Sequence, residues 1–300
     1  MSNPISFADI QRQMTHILRD AGGETAALDA RLLLAHIADM SDTQLALSAE
    51  APIPPQLEGE AQKVIALRAA GKPVAKIIGH KEFWGRRFQV SEAVLDPRPD
   101  SERLIEVALP ILPPKQNLQL IDLGTGSGCL LLTLLAEREM ARGLGIDNSR
   151  AALHMARRNA HRLGLRGRVA LRRGDWLNGE AALADMIVAN PPYVKSAEIA
   201  RLDKAVRLYD PRGALDGGAD GLAPYRRLMA PAFARLKSGG HLLLEIGATQ
   251  AAAVTQLMTE AGFEEILLRQ DLAGRDRVLL GQKNARKNKK GVITILLLLL

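Results

Sequence analysis

The sequence predicts an α/β protein in which a doubly wound, mostly parallel sheet follows a small helical bundle. Two observations support this fold class. Short apolar strands alternate with helical patterns from residue 103 to residue 281, which is typical of such sheets. The first 70 residues instead place apolar side chains at helical spacing. With 300 residues, 47% of them hydrophobic, the chain is long enough for one large or two ordinary domains.

Residues 1–72 are predicted to form the helical bundle. The first helix is expected to bury side chains at 3-4-3 spacing: Phe7, Ile10, Met14 and Ile17. Ser6 followed by Asp9 resembles a capping box at its start. A second helix is expected to repeat the spacing with Leu28, Leu32 and Ala35. Because this region carries no constellation of catalytic groups, packing and contact with a partner are its expected roles.

Residues 73–102 are predicted to form a β-hairpin and a linker. Phe83 and Phe88 flank Gly85, with turn-forming residues around them, which favours a hairpin. The linker segment DPRPDSE, residues 96–102, contains two prolines, which stiffen the chain and exclude helix. This segment joins the bundle to the α/β domain.

Seven apolar strands are expected in the α/β domain, residues 103–281. They are predicted at 118–123, 143–146, 169–171, 186–189, 241–246, 265–268 and 277–280. Only a short turn-like stretch separates the last two, so one of them is expected to be antiparallel.

The charge balance suggests a partner, but its distribution weakens that suggestion. The formal net charge is +7, which is typical of proteins with acidic or nucleic-acid partners. Five of the cations lie in residues 282–300, predicted to be a disordered extension, and without them the charge is +2. Eight arginines and no acid occur from Arg150 to Arg173. That stretch is either a solvated helix face or a surface that weakly contacts the ribosome or RNA.

Several classes of protein are excluded by single features. One cysteine, Cys129, is too few for a disulfide framework or a cysteine-rich zinc site, and no metal is expected. The N-terminus lacks the basic and apolar regions of a signal peptide. The longest apolar run, residues 292–300, is nine residues long, against about 20 for a spanning helix. A cytoplasmic protein with no stable membrane association is therefore expected.

A glycine-rich loop follows the first strand of the domain. Asp122 ends that strand, and glycines at 124, 126 and 128 let the backbone approach a ligand closely. A dinucleotide fingerprint would place its third glycine at position 129, where this chain has Cys129. The spacing therefore favours an S-adenosylmethionine site over a pyrophosphate site, the alternative being a bare turn.

Two later strand ends supply further candidate ligands. Asp147 ends the second strand, 25 residues after Asp122, where an acidic residue can accept both ribose hydroxyls of an adenosine. Its alternative role is to cap the next helix. Trp176 could flank an adenine ring and Asp175 could accept from its amino group, or Trp176 is a core residue beside a turn.

The tetrapeptide NPPY, residues 190–193, follows the fourth strand. It combines the side-chain carbonyl of Asn190 with a backbone carbonyl at Pro191 that rigid prolines hold in place. Two such acceptors can grip an NH2 group on a planar sp2 system, and Tyr193 can stack on that plane. Because ligands bind beyond the carboxyl ends of parallel strands, NPPY is expected beside the glycine loop. No histidine or glutamate adjoins NPPY in the sequence.

With these motifs in order, the chain resembles the release-factor glutamine methyltransferases, the PrmC/HemK family of class I methyltransferases. The resemblance extends over residues 5–281. It rests on four segments: GTGSG at 124–128, NPPY at 190–193, VLDPRPDSE at 94–102 and LDGGADGL at 215–222. One residue departs from the family pattern: Asp96 stands before the PRP turn, at a position where an apolar residue is expected.

The resemblance implies methyl transfer from S-adenosylmethionine to the side-chain amide nitrogen of a glutamine. That glutamine lies in the Gly-Gly-Gln motif of class 1 peptide chain release factors, which would be recognised through the bundle. The residues implied for the cofactor are Gly124, Thr125, Gly126, Ser127, Gly128, Asp147, Trp176 and Asn190. Those implied for the glutamine are Asn190, Pro191, Pro192 and Tyr193, with Asn190, Pro191 and Tyr193 acting in catalysis.

Three alternatives remain open. A sister family methylates a glutamine of a large-subunit ribosomal protein, and carries Ser-Pro-Ile where this chain has Arg98, Pro99 and Asp100. An adenine-N6 methyltransferase of DNA or RNA uses a similar tetrapeptide but needs an element that flips and reads bases. A non-catalytic scaffold for translation factors would not need the Asn190 tetrapeptide.

Overall fold

The computed structural model describes residues 5–179 and 181–284. The N-terminal region is helical, with α1 to α5 spanning Phe7–Asp20, Ala26–Ile37, Asp42–Leu47, Pro55–Ala69 and Val74–Ile78. The predicted capping box is present: Ser6 Oγ accepts from the Asp9 backbone N–H at 3.2 Å, and the Asp9 carboxylate accepts from the Ser6 N–H at 3.0 Å. Because these contacts satisfy N–H groups that the helix itself leaves unpaired, they fix where α1 begins.

The buried faces of α1 and α2 differ from the prediction. In α1 the buried residues are Phe7, Ile10, Met14 and Leu18, while Ile17 is 46% exposed. In α2, Leu28 is 44% exposed and Leu32 is half-buried, and the buried apolar residues are Ala26, Ala30, Leu33, Leu34 and Ala35. At 3.6 residues per turn, Leu18 lies within the stripe defined by the preceding residues and Ile17 lies at its edge.

The bundle extends past its predicted end at residue 72, because α5 (Val74–Ile78) packs against its core, and the hairpin and the linker follow α5. Strands β1 (His80–Phe83) and β2 (Arg86–Gln89) pair antiparallel, and Trp84 and Gly85 between them both have positive φ, 52° and 65°. Such φ values suit the twist of a two-residue hairpin turn. The prediction that the linker excludes helix was wrong for its end. A 3₁₀ turn at Pro99–Ser101 leads into α6, Glu102–Ala108, because proline is well tolerated in the first turn of a helix.

The predicted seven-stranded, mostly parallel sheet is confirmed. Strands β3 to β9 span Gln119–Leu123, Arg142–Asp147, Val169–Arg173, Ala184–Ala189, Leu236–Glu245, Glu264–Gln270 and Asp276–Gln282. Their order is β5-β4-β3-β6-β7-β9-β8. As expected for the last two strands, one of them is antiparallel: β9 runs against both β7 and β8.

Helices cover both faces of the sheet. The helices after α6 are α7 to α11, which span Cys129–Glu137, Arg150–Arg162, Lys204–Tyr209, Ala223–Arg235 and Ala251–Glu260. One core layer contains side chains of α6 and α7, and the other contains side chains of α10 and α11. The chain proceeds outward from β3 in one direction and from β6 in the other, so the crevice at their carboxyl ends is the expected place for a ligand.

None of the described helices is long and apolar enough to cross a membrane. The tail predicted at 282–300 was placed too early, because β9 extends to Gln282 and the Lys283 N–H donates to the Gly240 carbonyl at 2.8 Å. The rest of the predicted tail, from residue 285, lies outside the described residues.

Candidate active site

A cavity of about 600 Å³ opens at the carboxyl ends of β3, β4 and β6. Eight of the predicted site residues line it: Gly124, Thr125, Gly126, Ser127, Asp147, Trp176, Asn190 and Pro192. Gly128, Pro191 and Tyr193 are close in sequence but are not among its lining residues. The linker contributes a second wall, which the sequence did not predict, from residues 93–98 and Ser101.

The glycine loop has the backbone conformation that its sequence predicts. Gly124, Gly126 and Gly128 have φ values of 72°, 54° and 82°, a region that side-chain-bearing residues rarely adopt. A Cβ on Gly128 would lie 2.8 Å from Leu132 Cδ1, whereas one on Gly124 would meet nothing within 4 Å. The loop is therefore closely packed where α7 begins and open where it faces the cavity.

Short side-chain contacts hold this loop. Thr125 Oγ1 donates to Asp122 Oδ2 at 2.6 Å, and the Gly126 N–H donates to Asp147 Oδ2 at 2.9 Å. Burial raises the pKa of Asp122 to about 7, against the opposing effect of its bond with Thr125. Asp122 is 1% exposed, so it supports the loop from beneath rather than facing a ligand.

Asp147 is not the cap of the next helix. The residue that caps α8 is Ser149, whose Oγ accepts from the Ala152 N–H at 3.2 Å. Asp147 Oδ1 instead accepts from the Ser149 N–H at 2.8 Å, and the residue lines the cavity. This geometry leaves the carboxylate at the edge of the cavity where ribose hydroxyls are expected.

Trp176 and Asp175, both considered as contacts for an adenine, have different surroundings. Trp176 is half-buried, lines the cavity and packs against the core layer that contains α10. The Asp175 carboxylate forms an ion pair with Arg227 of α10. An adenine amino group would therefore compete with Arg227 for Asp175.

Asn190 is part of a hydrogen-bond network that the sequence did not predict. Its Nδ2 donates to Ser101 Oγ at 3.1 Å, and Ser101 Oγ donates to Glu245 Oε2 at 2.5 Å. Tyr193 Oη donates to Glu245 Oε1 at 3.4 Å. Although no acid adjoins NPPY in the sequence, the fold brings one there. The only sequence signal for it is a lone acid, Glu245, at the end of the apolar run HLLLE.

Burial dominates the electrostatics of this network. It raises the pKa of Glu245 to about 7, while the bond from Ser101 and the charge of Arg277 act in the opposite direction. Burial and the neighbouring Glu245 raise the pKa of Tyr193 to about 12. Tyr193 therefore stays a neutral hydroxyl that can donate a hydrogen bond.

The segment at 215–222 supports NPPY from behind. Gln250 Nε2 donates to the carbonyls of Tyr193 and Gly221, both at 3.1 Å. A Cβ on Gly221 would lie 2.5 Å from the Tyr193 carbonyl oxygen, and Gly221 has a φ of 77°. Glycine is required there because the two backbones approach so closely.

Asp96, the residue that departs from the family pattern, belongs to a buried ionic cluster. Lys76, whose side chain is 0% exposed, lies 2.8 Å from the Asp96 carboxylate and 3.3 Å from that of Asp210. Arg98 binds Asp210 at 2.8 Å. The charge of Asp96 is thus matched by a lysine of α5, which connects the bundle, the linker and the catalytic domain.

The cavity fits S-adenosylmethionine. Its backbone-lined loop leaves room for close approach, Asp147 offers carboxylate oxygens at one end, and Trp176 offers an aromatic surface. The loop suits the amino-acid part of the cofactor, the carboxylate of Asp147 suits the ribose hydroxyls, and the aromatic ring of Trp176 suits the adenine.

Comparison with protein families and curated relatives identifies the chain. Residues 9–79 match the PrmC N-terminal domain, and residues 103–237 match the methyltransferase small domain. The chain is 44% identical over 272 residues to the release factor glutamine methyltransferase of Cereibacter sphaeroides, covering 91% of this chain and 96% of the relative. It is 43% identical to the protein of that name from Rhodospirillum rubrum, covering 89% and 82% of the two chains.

The likeness to solved structures concerns the fold. The catalytic domain of hMettl16, in complex with MAT2A 3′UTR hairpin 1, matches with a TM-score of 0.56 at 15% identity, over 85% of this chain and 92% of that one. Together with the relatives, this match confirms the predicted fold class. The chain belongs to the release factor glutamine methyltransferase family and is an S-adenosylmethionine-dependent methyltransferase.

Proposed function

We propose that this enzyme methylates the side-chain amide nitrogen (N5) of the glutamine in the Gly-Gly-Gln motif of class 1 peptide chain release factors, and thereby modulates translation termination. The observation that carries the proposal is the position of Asn190, at the end of β6, in the wall of the cavity that the glycine loop also lines. The relatives named release factor glutamine methyltransferase support the choice of substrate.

The chemistry requires orientation more than it requires a base. An amide nitrogen is a poor nucleophile because its lone pair is delocalised into the carbonyl. The Asn190 side-chain oxygen and the Pro191 carbonyl accept the two amide hydrogens, which aims the nitrogen and stabilises the positive charge that develops on it. Positioning of this kind is worth about 7–11 kcal/mol in favourable systems, and preorganised dipoles add to it.

S-adenosylmethionine supplies an electrophilic methyl group on a positively charged sulfur when it is bound. The glycine loop, Asp147 and Trp176 would hold it, with Gly124 to Gly128 facing its amino-acid part and Asp147 accepting from the ribose hydroxyls. Pro192 and Tyr193 complete the glutamine site, in which Tyr193 is held through Glu245. A methylated, protonated amide is strongly acidic, so its proton is lost without a dedicated base.

Each segment of the chain has its own role in this proposal. Residues 1–72 recognise the substrate protein, residues 73–102 link them to the catalytic part, and residues 103–281 bind the cofactor and perform the transfer. The linker lines the cavity at residues 93–98, which supports a path for the substrate loop between the two parts.

The decisive experiment is methyl transfer from labelled S-adenosylmethionine to separate acceptors. They are a class 1 release factor, the same factor with the Gly-Gly-Gln glutamine replaced by glutamate, a ribosomal protein extract, and DNA. Label in the intact factor and none in the glutamate variant is expected. Label in a ribosomal protein, or in DNA, would replace the proposal by one of the alternatives. Cofactor binding with no transfer to any acceptor would favour the scaffold.

We also propose a weak contact of the arginine-rich stretch with the ribosome or RNA. Not every arginine from Arg150 to Arg173 is available for it, because Arg168 donates to three backbone carbonyls and Arg157 to one. Exposed Arg158, Arg162 and Arg166 are the best placed. RNA affinity that falls steeply with salt, and falls further on Arg158→Glu, is expected; affinity indifferent to that change would remove this contact.

A further inference from the structure

Two buried polar residues next to Asn190 are not among the site residues that the family resemblance implies. Ser101, in the 3₁₀ turn before α6, is 3% exposed, and Glu245, at the end of β7, is 2% exposed. They are 144 residues apart in the chain. Burying a hydroxyl and a carboxyl costs free energy unless they are hydrogen-bonded, so their bonds indicate what they do.

Ser101 is placed to cap a helix but does not. It occupies the N-cap position of α6, where serine usually accepts from a backbone N–H of the first turn. Here its side chain makes no cap hydrogen bond. Its hydroxyl lies instead between Asn190 Nδ2, at 3.1 Å, and Glu245 Oε2, at 2.5 Å. The Ser101 side chain therefore does not stabilise the start of α6. Its hydrogen bonds are with two residues of the active site, Asn190 and Glu245.

The number of hydrogens on a hydroxyl decides the orientation of Asn190. Ser101 has one hydroxyl hydrogen, and it is donated to Glu245. Ser101 Oγ can then only accept from Asn190, which requires the NH2 end of the Asn190 amide to face Ser101. Glu245 accepts at Oε2 when it is ionised and when its proton is on Oε1, so the requirement holds in both of these forms.

The other end of the Asn190 amide follows directly. With Nδ2 directed at Ser101, Oδ1 is the end left for the cavity that Asn190 lines. A flipped amide would present NH2 to the NH2 of a bound glutamine, setting donor against donor. It would also set Oδ1 against the Ser101 oxygen, which has no hydrogen left to give.

We propose that Ser101 and Glu245 are positioning residues that fix the Asn190 side-chain amide with its oxygen toward the substrate amide. This inference rests on the proposed function, since it gives that oxygen its role. Tyr193 Oη, which donates to Glu245 Oε1 at 3.4 Å, and Tyr225 Oη, which donates to the Glu245 backbone carbonyl at 2.9 Å, hold the carboxyl end in place. The orientation of one amide is thus set by three elements of the fold: β7, the linker turn and the segment after β6.

The test compares Ser101→Ala with Ser101→Thr, which keeps the hydroxyl. In protein labelled with ¹⁵N-asparagine, the Asn190 Nδ2 hydrogens, assigned with Asn190→Ser, are expected to exchange slowly in the wild type and in Ser101→Thr. They are expected to exchange about tenfold faster or more in Ser101→Ala, with the melting temperature of both variants close to that of the wild type. Equal exchange in Ser101→Ala and the wild type would overturn the proposal, and this measurement needs no substrate.

Kinetics form the second arm. With a release factor as acceptor, Ser101→Ala is expected to lower kcat by about 10–100-fold, within the range that misplacement of a reacting group can cost. The affinity for S-adenosylmethionine should stay within about twofold, and Ser101→Thr should recover most of kcat. An unchanged kcat in Ser101→Ala would overturn the positioning role. If the wild type methylates no release factor, the proposed function fails while the exchange measurement still decides the orientation of Asn190.

Discussion

The cofactor loop and the amide-binding site share one cavity but are built in opposite ways. The cofactor loop, residues 122–128, is held by contacts that are short in sequence: Thr125 to Asp122 across three residues and Gly126 to Asp147 across 21. The amide-binding site, defined as residues 190–193 with Ser101 and Glu245, is held by contacts across 89 and 144 residues. The first depends on one βαβ unit, and the second on how three distant segments meet.

Because of this difference, the two sites should respond to different substitutions. A change that loosens the packing of the linker should disturb the amide-binding site and leave the cofactor loop intact. The linker carries Ser101 and is fastened by Lys76, Asp96 and Asp210. Changes inside the βαβ unit should do the reverse.

Removing the buried cation should have the largest effect. Lys76→Met removes the lysine that lies between the buried carboxylates of Asp96 and Asp210. Of the cations in this cluster, Arg98 then remains, bound to Asp210. Breaking a buried ion pair from one side costs about 3–5 kcal/mol. Urea unfolding should show a loss of that size in the free energy of unfolding.

The same measurement has two informative comparisons. Lys76→Met combined with Asp96→Leu, which restores an apolar residue at the departing position, should lose less stability than Lys76→Met alone. Lys72→Met, which removes an ion pair with the exposed Glu92, should cost at most about 1 kcal/mol. Equal losses for Lys72→Met and Lys76→Met would contradict the role given to the buried cluster.

Asn190→Ala should nearly abolish methyl transfer. It removes one of the two acceptors for the substrate amide, and loss of a comparable preorganised group costs about 10²–10³-fold in kcat. Methyl transfer to a release factor measures this. The melting temperature should stay close to that of the wild type, because Asn190 bonds to one side chain only among the contacts described. Turnover of Asn190→Ala near the wild-type rate would contradict the proposed mechanism.

Glu245 should make stability depend on pH. Its pKa is about 7 in the folded protein against an ordinary value of 4.5, chiefly because of burial. The folded state therefore favours the protonated form. The stability this group contributes is complete below about pH 4.5 and is lost as pH rises through about 7.

Glu245→Gln tests this without leaving a charge. The glutamine is neutral throughout, so the difference in unfolding free energy between variant and wild type should grow by about 3 kcal/mol from pH 4.5 to pH 8. Asp122, whose pKa is also about 7, is present in both proteins and cancels in that difference. A difference that is flat across this range would show that Glu245 is not a buried, titrating carboxyl.

The same contrast explains what could be predicted from the sequence. The strands and the glycine loop follow from local patterns, because apolar runs and positive-φ glycines are determined within a few residues. Asn190 was found because its tetrapeptide is contiguous. Ser101 and Glu245 were missed because their function exists only where β7 and the linker turn meet. The partner of Asp96 was missed for that reason too, since Lys76 lies in another element.

Replacing Asp147 should have the smallest effect and should fall on the cofactor alone. The carboxylate accepts from the N–H groups of Gly126 and Ser149 and lines the cavity. Hydrogen bonds to a charged group contribute about 1.5–3 kcal/mol, so Asp147→Ala should weaken S-adenosylmethionine binding by about 10–100-fold in calorimetry. Asp185→Ala is the matched control, because Asp185 also accepts from a backbone N–H, that of Gln119, yet lies outside the cavity. Its affinity should equal that of the wild type, and unchanged affinity in Asp147→Ala would remove the ribose assignment and leave the cofactor loop to bind through its backbone.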